Sequence, residues 1–457
     1  MTLNEYIKNL KGKKVTVIGM GVSNTPLIDL LLENGIDLTV RDRAEREKAQ
    51  EKVERFESMG AKMRLGQDYL EDIDADVIFR TPGLRPDMPG IVKAVENGAV
   101  LTSEMEVFFD VCPCKIIAVT GSDGKTTTTT IVSELIKKAG YNVHVGGNIG
   151  TPLLTKADSM KKDDMVVLEL SSFQLMTMKK SPDIAVITNL APNHLDVHKD
   201  MDEYVESKKN IFLHQGENGV LVLNLDNDIT NKFTGNGRTY FFSRKKKVES
   251  GFYCEDGVIY SSFDGKTEKI MEAGDIFLPG VHNIENYLAA FSAVYGMVSA
   301  SDMKYVAEHF TGVEHRIELV RELRGVRYYN DSIASSPSRT IAGLRSFDKK
   351  VILIAGGKDK GVAFDELGDE ICRHVKRLVL TGFTAEKIKN ATINSKEYTP
   401  DLPVDVIDGF KDAVIFASEH AEPGDIVILS PASTSFDRFK NFMERGNIFK
   451  EIVNGLE

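Results

Sequence analysis

Short runs of apolar, often β-branched residues recur along the chain. Most are followed by a glycine turn and then by a stretch whose apolar positions return every three or four residues. Val15-Thr16-Val17-Ile18 opens a first series, which continues near Leu38-Thr39-Val40 and Asp76-Val77-Ile78-Phe79. A second begins at Lys115-Ile116-Ile117-Ala118-Val119 and runs through Met165-Val166-Val167-Leu168 to Ile184-Ala185-Val186-Ile187. A third contains Val351-Ile352-Leu353-Ile354, Arg377-Leu378-Val379-Leu380 and Ile426-Val427-Ile428-Leu429. Strands apolar throughout are covered on both faces, so their alternation with amphipathic helices predicts mostly parallel sheets between helix layers. Between about 219 and 278 the pattern changes to short alternating runs punctuated by Gly and Asp, which predicts antiparallel hairpins. A helix over about 283–298 closes that segment.

Length agrees with several domains: 457 residues are too many for one core and suggest roughly two to four. The breaks between series place an N-terminal domain over 1–110, a central one over 111–312 and a C-terminal one over 313–457. No low-complexity linker separates them, so the joints are expected to be short hinges.

Composition acts mainly by exclusion. A formal net charge of −11 gives no general drive toward nucleic acid or an anionic membrane, and the basic run Arg244 to Lys247 reads as a solvated turn. No apolar stretch approaches the ~20 residues needed to cross a bilayer, so no membrane insertion is expected. Met1 to Lys14 lack the apolar core of a signal peptide. Four cysteines make no disulfide framework in so long a chain, and Cys112-Pro113-Cys114 has no second Cys/His pair at zinc spacing. The expected setting is cytoplasmic.

The sharpest chemical signal is Thr120-Gly121-Ser122-Asp123-Gly124-Lys125-Thr126-Thr127, placed between an apolar strand and a helix. Glycines let successive N–H groups turn toward phosphate oxygens, and the helix N-terminus adds positive potential. Lys125 can neutralise the β- and γ-phosphates, and the Thr126 hydroxyl is placed for Mg²⁺. The common phosphate loop has four residues between its glycines, whereas only Ser122 and Asp123 stand here, which points to a family with a shorter loop.

Glu169-Leu170-Ser171-Ser172-Phe173-Gln174 ends the next apolar strand, and Asn193-His194-Leu195-Asp196-Val197-His198 follows the one after. Ligands gather where parallel strands end, so Glu169 and His194 are expected beside the loop, where they can hold Mg²⁺. Either alone is more often structural; together with the loop, the functional reading is the better one. Gly19-Met20-Gly21-Val22-Ser23-Asn24, with Asp42 ending the next strand, imitates a dinucleotide fingerprint, but Asn24 replaces the third glycine and disfavours NAD. Ala355-Gly356-Gly357-Lys358-Asp359-Lys360-Gly361 is a glycine turn with lysines, suited to an anion. Near the C-terminus, Ser435 and Phe442 read equally well as a helix cap and a core residue or as site residues. The predicted class is α/β in three domains. Rossmann-like N- and C-terminal domains flank a central P-loop ATPase-like, mostly parallel sheet with a small antiparallel sheet.

The order of short motifs resembles the Mur ligases, which share this loop with folylpolyglutamate synthetases. It comprises GSDGKTT from Gly121, GNIG from Gly147, ELSSFQL from Glu169, NHLDVH from Asn193, HNIEN from His282, EHR from Glu314 and NDSIAS from Asn330. The resemblance spans the chain. It implies ATP contacts from Gly121, Ser122, Asp123, Gly124, Lys125, Thr126 and Thr127, joined by Asn283, Asn286, Arg316 and Asp331. It implies two Mg²⁺ ions held by Thr126, Glu169, His194 and Lys208, the lysine carbamylated by CO₂. From its helical setting alone, Lys208 is a solvated lysine, and neighbouring Lys209 competes for the register.

Ser23 and Asp42 are implied on the uracil side of a UDP-linked substrate. Thr81, Pro82, Gly83 and Asn148 are implied nearer its diphosphate and sugar, with His194 also facing it. Ser335, Lys360, Ser435 and Phe442 are implied around the amino acid, although Ile333 stands where many members carry lysine. The branch implied adds D-glutamate to UDP-N-acetylmuramoyl-L-alanine. The Asp-Asn-Pro-Arg and Asn-Ala-Asn-Pro signatures of two other branches are absent, and the alanine-adding branch usually has histidine inside its loop. The implied chemistry is an acyl phosphate made from ATP, with Lys125, His194, Lys208 and Glu169 as the catalytic set, in a monomer by family habit. Two competing readings are a folylpolyglutamate synthetase-like ligase and a catalytically inactive UDP-sugar-binding regulator. Against the first, about 110 residues precede the loop; against the second, the chemical set is intact.

Overall fold

Three sheets form where the apolar runs predict them, in a computed structural model that describes residues 1–192, 197–278, 280–359 and 361–457. The first contains β1 (Lys14–Ile18), β2 (Asp37–Asp42), β3 (Lys62–Leu65), β4 (Val77–Arg80) and β5 (Val100–Thr102). All its pairings are parallel, in the order β3-β2-β1-β4-β5. The chain moves outward from β1 to β3 and then returns to the other side of β1, so the ends of β1 and β4 form a topological switch point.

The second sheet contains β6 (Lys115–Thr120), β7 (Val143–Gly147), β8 (Met165–Glu169), β9 (Ile184–Ile187), β10 (Val220–Asn224), β11 (Arg238–Ser243), β12 (Gly251–Glu255), β13 (Val258–Phe263) and β14 (Lys266–Glu272). Its order is β14-β13-β12-β11-β10-β9-β6-β8-β7. The switch point lies at β6, whose neighbours are β8 and β9. Every residue of β8 is buried, as its unbroken apolar run requires.

The hairpins expected from about 219 begin only at Gly251. β10 and β11 are parallel, because the segment between them, with a short 3₁₀ turn at Thr230–Lys232, is long enough to cross back. β12, β13 and β14 are antiparallel and extend the same sheet rather than forming one of their own. Their tight turns are Asp256-Gly257 (φ +49° and +77°) and Asp264-Gly265 (φ +52° and +73°), the two-residue pattern that matches strand twist. The helix that follows spans Val281–Ala293 and ends before Gly296 at φ +78°.

The third sheet contains β15 (Glu318–Leu323), β16 (Val326–Asn330), β17 (Val351–Ala355), β18 (Val375–Leu380), β19 (Val404–Val406) and β20 (Ile426–Leu429), in the order β15-β16-β20-β17-β18-β19. It is parallel except for the β15–β16 hairpin.

The described residues divide into two compact units, Met1–Asp275 with His282–Glu308, and Ile276–Val281 with His309–Glu457. In the first, one apolar core runs without a break from Val17, Leu31, Met105 and Phe108 into Ile116, Val166 and Leu168. In the second, separate clusters cover the faces of the third sheet, one around Leu353 and Leu378 and the other around Ile354 and Val427. Among the described residues, no helix is long and apolar enough to cross a membrane.

Candidate active site

At the carboxyl end of β6 the chain turns through the phosphate loop into the helix Lys125–Lys138. A Cβ on Gly121 would lie 1.9 Å from Thr188 Oγ1, and one on Gly124, at φ +76°, would lie 2.4 Å from Asn286 Oδ1. Both positions therefore demand glycine. The loop is held from outside: Ser122 N–H donates to Asn189 O at 2.9 Å, Asp123 N–H to Asn189 Oδ1 at 3.0 Å, and Thr188 Oγ1 to Asp123 O at 2.6 Å. Ser122 Oγ donates to Ala191 O at 2.9 Å and lies 2.9 Å from the Tyr204 hydroxyl. Lys125 Nζ folds over the loop, donating to the carbonyls of Gly121 and Ser122 at 2.9 Å each. Thr126 and Thr127 occupy the first helical turn, whose N–H groups have no helical acceptor.

Asn283 and Asn286 are buried and joined at 3.0 Å, and Asn286 Oδ1 accepts from Thr128 Oγ1 at 3.2 Å. Beside them opens a cavity of about 120 Å³, with Asp123, Gly124, Asn189, Phe242 and Glu285 in its wall. Phe242 belongs to no recognisable sequence motif, and Glu285 stands inside HNIEN without an assigned role, so sequence reasoning passes over both.

Glu169 ends β8 beside this loop. Its Oε1 accepts from Asn148 Nδ2 at 2.8 Å, while Oε2 is buried with no hydrogen-bond partner among the described residues. A buried carboxylate oxygen left unpaired is costly, and a divalent cation would satisfy it. Asn148, implied near the sugar, is held on Glu169 by both its side chain and its backbone N–H, which donates to Glu169 O at 2.7 Å.

Lys208 is not the solvated lysine that its helix suggests. It is 1% exposed, and its Nζ donates to Thr120 Oγ1 at 3.0 Å. Lys209 instead pairs with Glu206 on the outside of the helix, which settles which lysine faces inward. Burial, reinforced by the Lys125 charge and opposed by Glu169, pushes the Lys208 ammonium well below its ordinary pKa. Burial thus favours the free amine over the ammonium. Among the described residues no three His, Cys, Asp or Glu side chains cluster to hold a metal. The implied set also needs His194, which lies outside the described residues.

His198, from the same motif, is buried with its Nε2 2.9 Å from Ser172 Oγ and its ring stacked on Phe173 at 5.3 Å. Its Nδ1 faces Glu203 Oε2 at 3.5 Å, and Arg85 holds that carboxylate with two donors, at 2.8 and 2.9 Å.

At the switch point of the first sheet, Asp42 accepts from Met20 N–H at 2.7 Å and from Ala44 N–H at 2.8 Å, fixing the turn that carries Gly19 to Ser23. Asn24 works where a third glycine would fail: its amide donates to Ile18 O at 3.0 Å and Gly19 O at 3.1 Å. Thr81, Pro82 and Gly83 follow β4, the strand beside β1. Arg80, fully buried, donates to Pro82 O at 2.9 Å and Phe173 O at 3.0 Å, and so ties this turn to the helix after Glu169. Its only sequence signal is an arginine closing the apolar run Val77-Ile78-Phe79-Arg80.

In the second unit, Asp331 follows β16. Its oxygens accept from Ser430 Oγ at 2.7 Å and Ile317 N–H at 3.3 Å. Arg316 lies between His315 and Ile317, at φ +64° and +46°, unusual values for residues with side chains and a mark of local strain. Ser335 sits in the turn after β16, its N–H donating to Ile333 O at 2.8 Å. Ser435 is buried in the turn after β20. It does not cap the helix Phe442–Asn454, because Asn441 does so by accepting from Glu444 N–H at 2.9 Å. Phe442, half-buried, packs its ring edge-to-face with His315 at 5.9 Å. Lys360 lies outside the described residues.

Burial pushes the Asp331 carboxyl up to about 7, against the Ser430 hydrogen bond and the Arg316 charge. An acid with a raised folded-state pKa binds more protons folded than unfolded. The stability this supplies is complete below the unfolded value near 3.8 and is lost as pH rises through about 7. Asp331→Asn, which keeps the shape without the charge, should therefore stabilise the protein at pH 8 by about 2–4 kcal/mol and change little at pH 4. Denaturant unfolding at both pH values measures this; an equal difference at each would refute the buried-charge account.

Residues 119–294 match the Mur ligase middle domain, 315–433 the Mur ligase glutamate ligase domain, and 13–103 the N-terminal domain of the MurD-like Mur ligases. The chain belongs to the Mur ligase family. It is similar over its whole length to the UDP-N-acetylmuramoylalanine--D-glutamate ligase of Acetivibrio thermocellus, at 54% identity over 100% of this chain and 99% of the relative. The enzyme of the same name from Clostridium novyi is 52% identical, again over 100% and 99%. Among solved structures, the UDP-N-acetylmuramate-alanine ligase of Thermotoga maritima superposes with a TM-score of 0.55 at 18% identity, covering 97% of this chain and 99% of that one. The MurF ligase of the same organism, in complex with ADP, gives 0.52 at 19% identity over 98% and 96%. At these identities the likeness is one of fold.

Proposed function

We propose that this chain joins D-glutamate to UDP-N-acetylmuramoyl-L-alanine at the expense of ATP, in the synthesis of the peptidoglycan precursor. The observation that carries the reading is the full-length similarity, at 51–54% identity, to ligases named for this reaction. The site supports it.

The loop N–H groups and Lys125 bind the ATP phosphates, with Asn286 in the wall of the nucleotide cavity, Asn283 bonded to it, and Arg316 and Asp331 adding contacts. Thr126, Glu169, His194 and a carbamylated Lys208 would hold Mg²⁺, two ions in the family pattern, and the metal would supply charge neutralisation at the transferring phosphoryl group. The unpaired Glu169 oxygen and the buried Lys208, whose pKa is lowered by desolvation, fit such a group. The amine attacks CO₂, an N–C bond forms and a proton leaves, turning a buried base into a carboxylate-like ligand.

Ser23, Asp42, Thr81, Pro82, Gly83 and Asn148 hold the UDP-linked substrate. Its carboxylate attacks the γ-phosphorus and ADP departs, leaving an acyl phosphate. D-glutamate, held by Ser335, Lys360, Ser435 and Phe442, attacks the acyl carbon with its free amine. Phosphate leaves and the amine proton passes to solvent. The reaction is cytoplasmic, and the working unit is a monomer.

Phosphate release from ATP and UDP-N-acetylmuramoyl-L-alanine tests this, with D-glutamate, L-glutamate, L-lysine and diaminopimelate offered separately. Release with D-glutamate alone is expected. Release with another amino acid would move the specificity, and none with any would bring forward the folate-type or inactive readings.

A further inference from the structure

The helix Phe442–Asn454 turns one arginine inward one turn from its start. Arg445 is 2% exposed. Its Nε donates to Ser332 Oγ at 3.0 Å, Nη2 to Ser332 O at 2.9 Å, and Nη1 to Ser433 O at 3.1 Å. Ser332 Oγ in turn donates to Phe442 O at 2.8 Å. The glycine turn after β17 closes in as well: a Cβ on Gly357 would stand 3.2 Å from Arg445 Nη1 and 2.2 Å from Thr434 O. The turns after β16, β20 and β17, three neighbouring strands, thus meet at a single guanidinium.

Among the described residues, every oxygen bonded to this cation is uncharged. Asp331 and Asp437 are near enough to act on it, yet the Asp331 oxygens accept from Ser430 and Ile317 instead. A buried charge without a bonded counter-ion costs stability. It is best explained where an incoming anion completes it. The described residues assigned to the amino acid, Ser335, Ser435 and Phe442, each lie within three positions of a residue bonded in this cluster, and none is charged.

We infer that Arg445 is the positioning residue of the amino-acid site and the fixed positive charge that makes this site prefer an acidic amino acid. The inference rests on the functional reading above. It separates two effects. The three hydrogen bonds set the spacing of the turns, and hence affinity for any amino acid, while the charge favours a side-chain carboxylate over its amide.

Steady-state kinetics with D-glutamate and D-glutamine test both in the full-length enzyme. Arg445→Lys keeps the charge and loses the three-way clamp. It should raise KM about tenfold or more for both amino acids, with KM for ATP and the UDP-linked substrate unchanged. Arg445→Met should also reduce the preference for D-glutamate over D-glutamine by about tenfold or more. A purely structural role would lower the active fraction, and so kcat, without moving either KM or that preference, and this result would overturn the inference. If Arg445→Met does not fold, Arg445→Lys decides, since an unchanged amino-acid KM in that variant contradicts the clamp. Wild-type enzyme that ignores D-glutamate would instead sink the functional reading itself, and the inference with it.

Discussion

Lys125→Ala is expected to lower phosphate release by about 10³-fold or more while leaving the protein folded. The lysine donates to two loop carbonyls, those of Gly121 and Ser122, and it is partly exposed, so water can replace it there. Its loss should shift stability by no more than about 0.5 kcal/mol, as at an ordinary surface site. In the proposed mechanism, in contrast, its charge meets the transferring phosphoryl group, and the loop carries no other described cation to take over. Turnover with saturating substrates, paired with a thermal melt, checks both halves. Near-normal turnover would remove Lys125 from the mechanism, and a collapsed melt would show that the loop needs its bonds to the carbonyls.

Lys208→Ala should be nearly as damaging, costing about 10²–10³-fold in rate, with part of the activity returned by acetate or another short carboxylate. Burial disfavours the charged form of the wild-type lysine, so its pKa is depressed on folding. For such a base the folded state binds fewer protons than the unfolded chain. Stability therefore rises with pH between the depressed value and the ordinary lysine value near 10.4. Lys208→Met, which fills the same space without the amine, should accordingly be at least as stable as the wild type at pH 7. A carbamate resonance from ¹³C-labelled bicarbonate should appear in the wild type and vanish in both variants. Full activity of Lys208→Ala would end the carbamate idea.

Inner strands of all three sheets were legible because burial on both faces leaves an apolar run, as in Met165 to Leu168, whereas the edge strands β3, β5 and β7 carry no such run. β15 and β16 were not, because Glu318, Arg321, Glu322 and Arg327 break that pattern on an edge hairpin. The Asp-Gly turns marked the real hairpins, but whether β10 and β11 pair in parallel depends on contacts made elsewhere in the sheet. The phosphate loop could be read residue by residue, since its chemistry is local.

The depth of Lys208 could not be read directly. Its helix, Met201–Lys209, is charged at most positions, and inward direction is a matter of rotational phase. The clue was Tyr204, buried four residues earlier on the same face. Arg80 and Arg445 were missed for a related reason. A buried arginine is recognised by the carbonyls it reaches, and those carbonyls belong to distant turns.

The unbroken core between the first two sheets bears on how such enzymes can be recombined. Motif spacing makes residues 1–110 look like an exchangeable cartridge for a different UDP-linked substrate. Yet Met105, Phe108 and Val111 pack into the same cluster as Ile116 and Leu168, and the buried Glu104 accepts from Leu154 N–H at 3.2 Å. A chimera cut at the apparent joint would place two unrelated sets of side chains face to face across a dry seam. The substrate-binding and nucleotide-binding parts of this chain should therefore be inherited, transplanted and engineered as one block.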